Sequence, residues 1–178
     1  MIIIQDDIKK NRNSGVSLVE LIVVISIMAI MIGLVSISVS LMFSRDAESA
    51  AKVIDDELTE ARMLSMSRQG KFILVINPSD NTVVINKVGD TEPLRTVNYK
   101  KNVSLTVKKP SVATPDDISS AYEVEFDKRN GSVYKIGGSV VDTSSSGVYS
   151  ITATTSRLLT KTATVDLVTT TGRHYVRK

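Results

Sequence analysis

The chain has 178 residues, room for one domain beyond an anchoring segment. It has no Cys, which excludes a disulfide framework and CxxC redox chemistry, and a single His, which without Cys leaves little from which to build a zinc site. Aromatics at 4% are too few for a base-stacking RNA module, and a net charge of +3 says less than its distribution along the chain.

Residues 1–15 carry Lys9, Lys10 and Arg12 against Asp6 and Asp7. The next 28 residues, 16–43, contain one ionisable group, Glu20. As a helix this run extends roughly 42 Å, more than the roughly 30 Å core of a bilayer, so it is expected to span a membrane. Basic residues ahead of a span favour a cytoplasmic N-terminus, which puts the bulk of the chain outside. A conventional secretory signal has an apolar core of about 7–15 residues and a small-residue cleavage site after it; this run is about twice as long and no Ala-x-Ala follows. An uncleaved anchor would show the same helix and basic flank, but would not need Gly15 and Glu20. A carboxylate inside a span costs about 2.5–3.5 kcal/mol on the mild insertion scales, so it usually has a partner and a purpose.

Residues 14–30, Ser-Gly-Val-Ser-Leu-Val-Glu followed by an unbroken apolar run, resemble the type III signal of type IV pilins and pseudopilins. That signal is a short basic leader ending in Gly, a hydrophobic residue, Glu at the fifth position after the cut, and an apolar helix. Val16 stands where the family most often has Phe, and no Pro interrupts the run near Ile37. The resemblance implies a prepilin peptidase substrate cut between Gly15 and Val16, with Val16 N-methylated. Its partners would be other pilin or pseudopilin subunits and an inner-membrane assembly platform, and Glu20 would serve assembly. Cleavage would create a cationic amine four residues before Glu20. In a fibre the amine of an incoming subunit can pair with the Glu20 of its neighbour, relieving the cost of the buried carboxylate. Ser26, Ala29, Gly33, Ser36 and Ser40 would let such helices approach closely.

Beyond residue 43 the composition turns polar while helical periodicity continues. Ala47, Ala51, Ile54, Leu58 and Ala61 form one apolar stripe, with charged residues on the remaining faces. No Pro interrupts residues 16–68, so one helix of about 50 residues is expected, its amphipathic half at 44–70 and its end at Gly70. From Lys71 the period changes. Runs at 72–76, 82–88, 103–107, 122–126, 132–136, 149–154, 163–168 and 173–177 read as strands, with Asn130-Gly131 and Thr171-Gly172 as turns. Residues 108–120 and 138–147 read as loops. The expected class is α+β: a pilin-like long N-terminal helix, its first half in the membrane, packed on antiparallel β-sheets in a β-rich head at 71–178. Ala61-Arg62 with Gly70, Phe126 before Asn130-Gly131, and Gly172-Arg173 opening the last strand also look like the H-type pseudopilins and their FimT-like pilus counterparts.

No enzyme signature stands out. His174 could in principle join a Ser-His-Asp triad, but no Gly-x-Ser-x-Gly elbow exists and an exposed strand residue is the default. Asp116-Asp117 and Asp80-Asn81 lack EF-hand spacing and read as turn residues, so no metal or other cofactor is expected. Residues 128–178 carry eight basic and two acidic side chains, +6 against −3 for the rest. If Arg157, Lys161, Arg173, Arg177 and Lys178 shared a face they could contact DNA or another anion; the alternative is a solvated sheet face. Two functions follow. One is a structural subunit, a minor one, of a type II secretion pseudopilus or type IV pilus, anchored in the inner membrane with its C-terminal domain outside. The other is a DNA-binding minor pilin of an uptake pilus. An anchored regulator with no fibre would leave Glu20 incidental.

Overall fold

The computed structural model describes residues 17–67, 69–142, 147–155 and 160–177, with side chains left undescribed at helix positions 34–44. The chain divides into two compact units, Met1–Ser38 and Val39–Lys178. Its helix, α1, is Leu18–Ser67, and eleven strands follow.

In the first unit every described residue of α1 is exposed, and from Leu18 to Ile32 most are large and apolar. The Ser26 hydroxyl is satisfied within the helix, donating to the Ile22 carbonyl at 2.7 Å. Among the described residues no helix is long and apolar enough to cross a membrane. Side chains of the expected span, 16–43, are described only at 17–33, which is shorter than the ~20 apolar residues a crossing needs.

In the second unit the stripe read from periodicity is the core face of the helix. Ala47, Ala50, Ala51, Ile54, Leu58, Ala61 and Leu64 are all buried. Around it stand two antiparallel sheets. The six-stranded sheet runs in the order β3 (Arg95–Asn98), β2 (Thr82–Lys87), β1 (Phe72–Asn77), β6 (Tyr122–Phe126), β7 (Val133–Ile136), β8 (Ser139–Val140). The five-stranded sheet runs β11 (His174–Arg177), β10 (Lys161–Val168), β9 (Val148–Thr155), β4 (Ser104–Lys108), β5 (Asp116–Asp117). Alternation sends Leu74, Ile76, Val83, Ile85 and Val124 inward from the first and Leu105, Val107, Ile151, Val165 and Leu167 inward from the second. With the helix stripe these make one core. Among the described residues every buried apolar one lies between Ala47 and Leu167, so residues 44–178 contain that core and what they need to fold alone.

Three strands depart from the sequence expectation. β3 pairs with β2 from Thr82↔Asn98 to Ile85↔Arg95, but it is an edge strand whose side chains are mostly exposed, so it has no apolar alternation. β5 lies inside the expected loop 108–120 because Asp117 pairs with Thr106 and Ile118 is buried behind it. β8, inside the expected loop 138–147, is a two-residue return on β7.

The two sheets meet where their tight turns touch. Residues 127–132 and 168–173 close with Gly131 N–H on the Asp127 carbonyl and Gly172 N–H on the Val168 carbonyl, both at 2.8 Å. Both glycines have left-handed backbones, φ 69° and 63°. Val133 N–H donates across to the Thr169 carbonyl at 2.9 Å, and the Arg62 Nε of the helix donates to the Gly131 carbonyl at 3.0 Å. A Cβ on Gly172 would overlap that same carbonyl oxygen. Gly172→Ala is therefore expected to destabilise residues 44–178 by more than about 2 kcal/mol, adding left-handed strain to a displaced turn. Urea unfolding of the two proteins measures this, and an unchanged midpoint would mean the turns do not touch.

Candidate functional site

Glu20 lies in the first turn of α1, three residues after Ser17, whose carbonyl accepts the Leu21 N–H at 3.0 Å. Ser-x-x-Glu is the spacing of an N-terminal capping box, and the helix dipole favours a carboxylate there. The turn therefore has a local use for Glu20 besides any partner. Gly15 and Val16, the expected cleavage pair, fall outside the described residues. The apolar side chains on either side of Glu20 and onward along the helix are bare, from Leu18 at 73% exposed to Ile32 at 68%. A contiguous apolar surface of this size needs lipid or partner helices to cover it.

In the second unit polar contacts tie the helix to both sheets. Glu57 is buried and takes the Arg95 guanidinium of β3 at 2.9 Å on one oxygen. Its other oxygen bonds nothing among the described residues. On the opposite edge His174 of β11 is not the exposed residue its strand position suggested; only 7% of its side chain is accessible. Its Nδ1 lies 3.1 Å from the Gly172 carbonyl, which can only accept, so that nitrogen carries the proton. Its Nε2 meets the Thr59 hydroxyl at 2.8 Å, with an Asp55 oxygen 4.0 Å away. A hydroxyl, an imidazole and an orienting carbonyl are thus in line. The groove beside them is lined by Arg62, Met63, Met66, Arg173 and Tyr175.

The basic residues divide. Tyr175 and Arg177 are the exposed positions of β11, while Arg173 precedes the strand and lines a groove beside the helix that Arg177 does not reach. Lys161 has the parity of inward-facing Ala163 and Val165 on β10, so it points away from that side. Arg177 is held by the buried carboxylate of Asp166, Nε to Oδ2 at 3.2 Å. Arg173 is exposed and forms no side-chain bond among the described residues; it shares its groove with Arg62, which the charge count had not included. Arg157 and Lys178 are outside the described residues. Asp116 pairs with Lys109 at 2.8 Å, and Asp80 accepts from Asn77 at 2.7 Å. Neither joins a cluster able to hold a metal among the described residues.

Thr59–His174 and Glu57–Arg95 were not visible in the sequence because their partners stand 115 and 38 residues apart. Burial pushes the Asp55 carboxyl above the usual carboxylate range, against the pull of His174 and with Asp56 adding to the rise. Burial likewise raises Glu57, against Arg95. A raised native value means that the folded chain holds these protons more tightly than the unfolded one. The stability they contribute is full below the unfolded carboxylate range near about 4 and is lost as pH rises through the raised values. Asp55→Asn with Glu57→Gln should therefore gain in Tm over the parent as pH moves from acid to neutral. Melting curves across that window test it; an offset that does not change with pH would contradict the assignment.

A family model described as the prokaryotic N-terminal methylation motif matches residues 10–36. That segment contains Gly15, Val16, Glu20 and most of the bare apolar surface. No curated protein and no solved structure matches the chain.

Proposed function

We propose that this chain is a structural subunit, a minor one, of a thin extracytoplasmic fibre, a type II secretion pseudopilus or a type IV pilus. The observation that carries the reading is the methylation motif on residues 10–36. A bare apolar helix with one carboxylate in its first turn supports it. The precursor is anchored in the inner membrane through 16–43 with its head outside. Prepilin peptidase cuts after Gly15, and Val16 becomes the methylated terminus. The new cationic amine pairs with Glu20 of a neighbouring subunit, which gives the otherwise costly carboxylate its partner and sets the register of helix against helix. The head is displayed and performs no catalysis.

N-terminal sequencing of the membrane-extracted protein should begin at Val16, and Gly15→Val should leave the precursor uncut. Glu20→Val should be inserted and cut normally but drop out of sheared fibres. A mature chain starting elsewhere would remove the prepilin reading, whereas wild-type incorporation of the Val variant would remove only the pairing account.

A second reading, a DNA-binding minor pilin, draws on one observation: unpaired Arg173 shares a groove with Arg62 and the half-exposed ring of Tyr175. Residues 44–178 would then bind duplex DNA with a log–log salt slope of about −0.9 per phosphate contacted, and Arg173→Ala would flatten it by about one contact. Titration at two salt concentrations decides; no binding at low salt leaves a solvated face.

A further inference from the structure

The face of the five-stranded sheet turned away from the core carries hydroxyls in cross-strand rows. Pairing sets Thr106, Thr152, Thr164 and Arg177 side by side across four strands. The adjacent row is Lys108, Ser150, Asp166 and Tyr175. Residues 109–115, stiffened by Pro110 and Pro115, wall these rows and leave a slot of about 410 Å³. That volume lies in the range of small-ligand sites.

Threonine suits a pleated surface, so polar-out alternation alone accounts for hydroxyls here. It does not account for Asp166, a carboxylate on this outward face with only 5% of its surface exposed. Burying a carboxylate is costly unless it is bonded, and Asp166 accepts from Ser150 Oγ at 2.5 Å and from Arg177 Nε at 3.2 Å. The effect is to hold the Arg177 guanidinium at the end of the threonine row with most of its side chain still open to solvent. The Lys108 side chain also lines the slot and bonds no other described side chain, while Lys109 is paired with Asp116.

The hydroxyls discriminate between anions. Thr152 and Thr164 share one hydrogen bond at 3.0 Å, which leaves the pair one proton to give and lone pairs to receive. The Thr106 hydroxyl bonds nothing among the described residues. Such a floor both donates and accepts. A phosphodiester only accepts, whereas a sugar hydroxyl does both, and two cations beside it suit a carboxylate carried on the sugar.

We propose that this slot binds an acidic glycan, its sugar hydroxyls on Thr106, Thr152 and Thr164 and its uronate carboxylate between Lys108 and Arg177. The site belongs to the head alone and does not depend on the fibre reading. Isotope-labelled residues 44–178 titrated with trigalacturonic acid should show saturable amide shifts at Lys108, Thr152, Thr164 and Arg177. Lys108→Ala and the near-isosteric Thr152→Val should each weaken binding about tenfold, the weight of one strong hydrogen bond, with the spectrum otherwise unchanged. Neutral maltotriose should bind more weakly than the uronate. The absence of saturable shifts overturns the proposal. So does an equal response to inorganic phosphate or a short DNA duplex that Thr152→Val leaves intact, since the cations would then be acting without the hydroxyl floor.

Discussion

The head depends on how closely one helix face can lie against two sheets at once. Ala47, Ala50, Ala51 and Ala61 keep that face low, while Ile54, Leu58 and Leu64 fill the space between the inward rows of both sheets. At the Arg62 end the approach is tightest. The guanidinium donates to a turn of one sheet, and a turn of the other is pressed against the same carbonyl. Only residues without a Cβ fit there, and both are already left-handed. The polar ties elsewhere along the helix, Glu57 to Arg95 and Thr59 to His174, reach opposite sheet edges and fix the roll of the helix about its axis.

The two units place opposite demands on their side chains. The second buries its apolar surface internally, and its buried carboxylates are compensated by Arg95, Lys71 or Arg177. The first leaves its apolar surface bare and offers no internal partner for it among the described residues. The match to the N-terminal methylation motif reaches residue 36 and so falls within this first unit.

What could be read in advance was whatever repeats locally. The stripe Ala47–Ala51–Ile54–Leu58–Ala61 obeys helical spacing, and all five residues are buried. Most long strands alternate and fall within a residue or two of their expected bounds. The Asn130-Gly131 dipeptide announced its turn between β6 and β7. The strands that escaped, β3, β5 and β8, are short edge pieces that exist because a neighbour offers unpaired backbone, which no periodicity records. The same holds for the side-chain ties. Arg62, Gly131 and Gly172 each stood out by type, yet nothing in three separated fragments said that they touch. Charge counting has the same blindness: it gathers residues by sequence proximity, whereas the sheet sends Lys161 and Arg177 to opposite faces and gives Arg177 a buried counter-ion.

The last strand carries a consequence for how the chain reaches this form. His174 bonds a helix residue 115 positions earlier, and Gly172 completes the turn contact that Arg62 holds from the helix. β11 also covers part of β10, so the five-stranded sheet lacks an edge until the final few residues arrive. The helix is local and can form early, but its contacts with Gly172 and His174 wait for residues more than a hundred positions later. Contacts of such long sequence separation slow folding, because the whole intervening loop must close before any of them is rewarded. Until then Ile54 and Leu58 face water. The tie between His174 and Thr59 is thus a late one to close, since strand β11 must be in place on β10 before the helix residue has its partner.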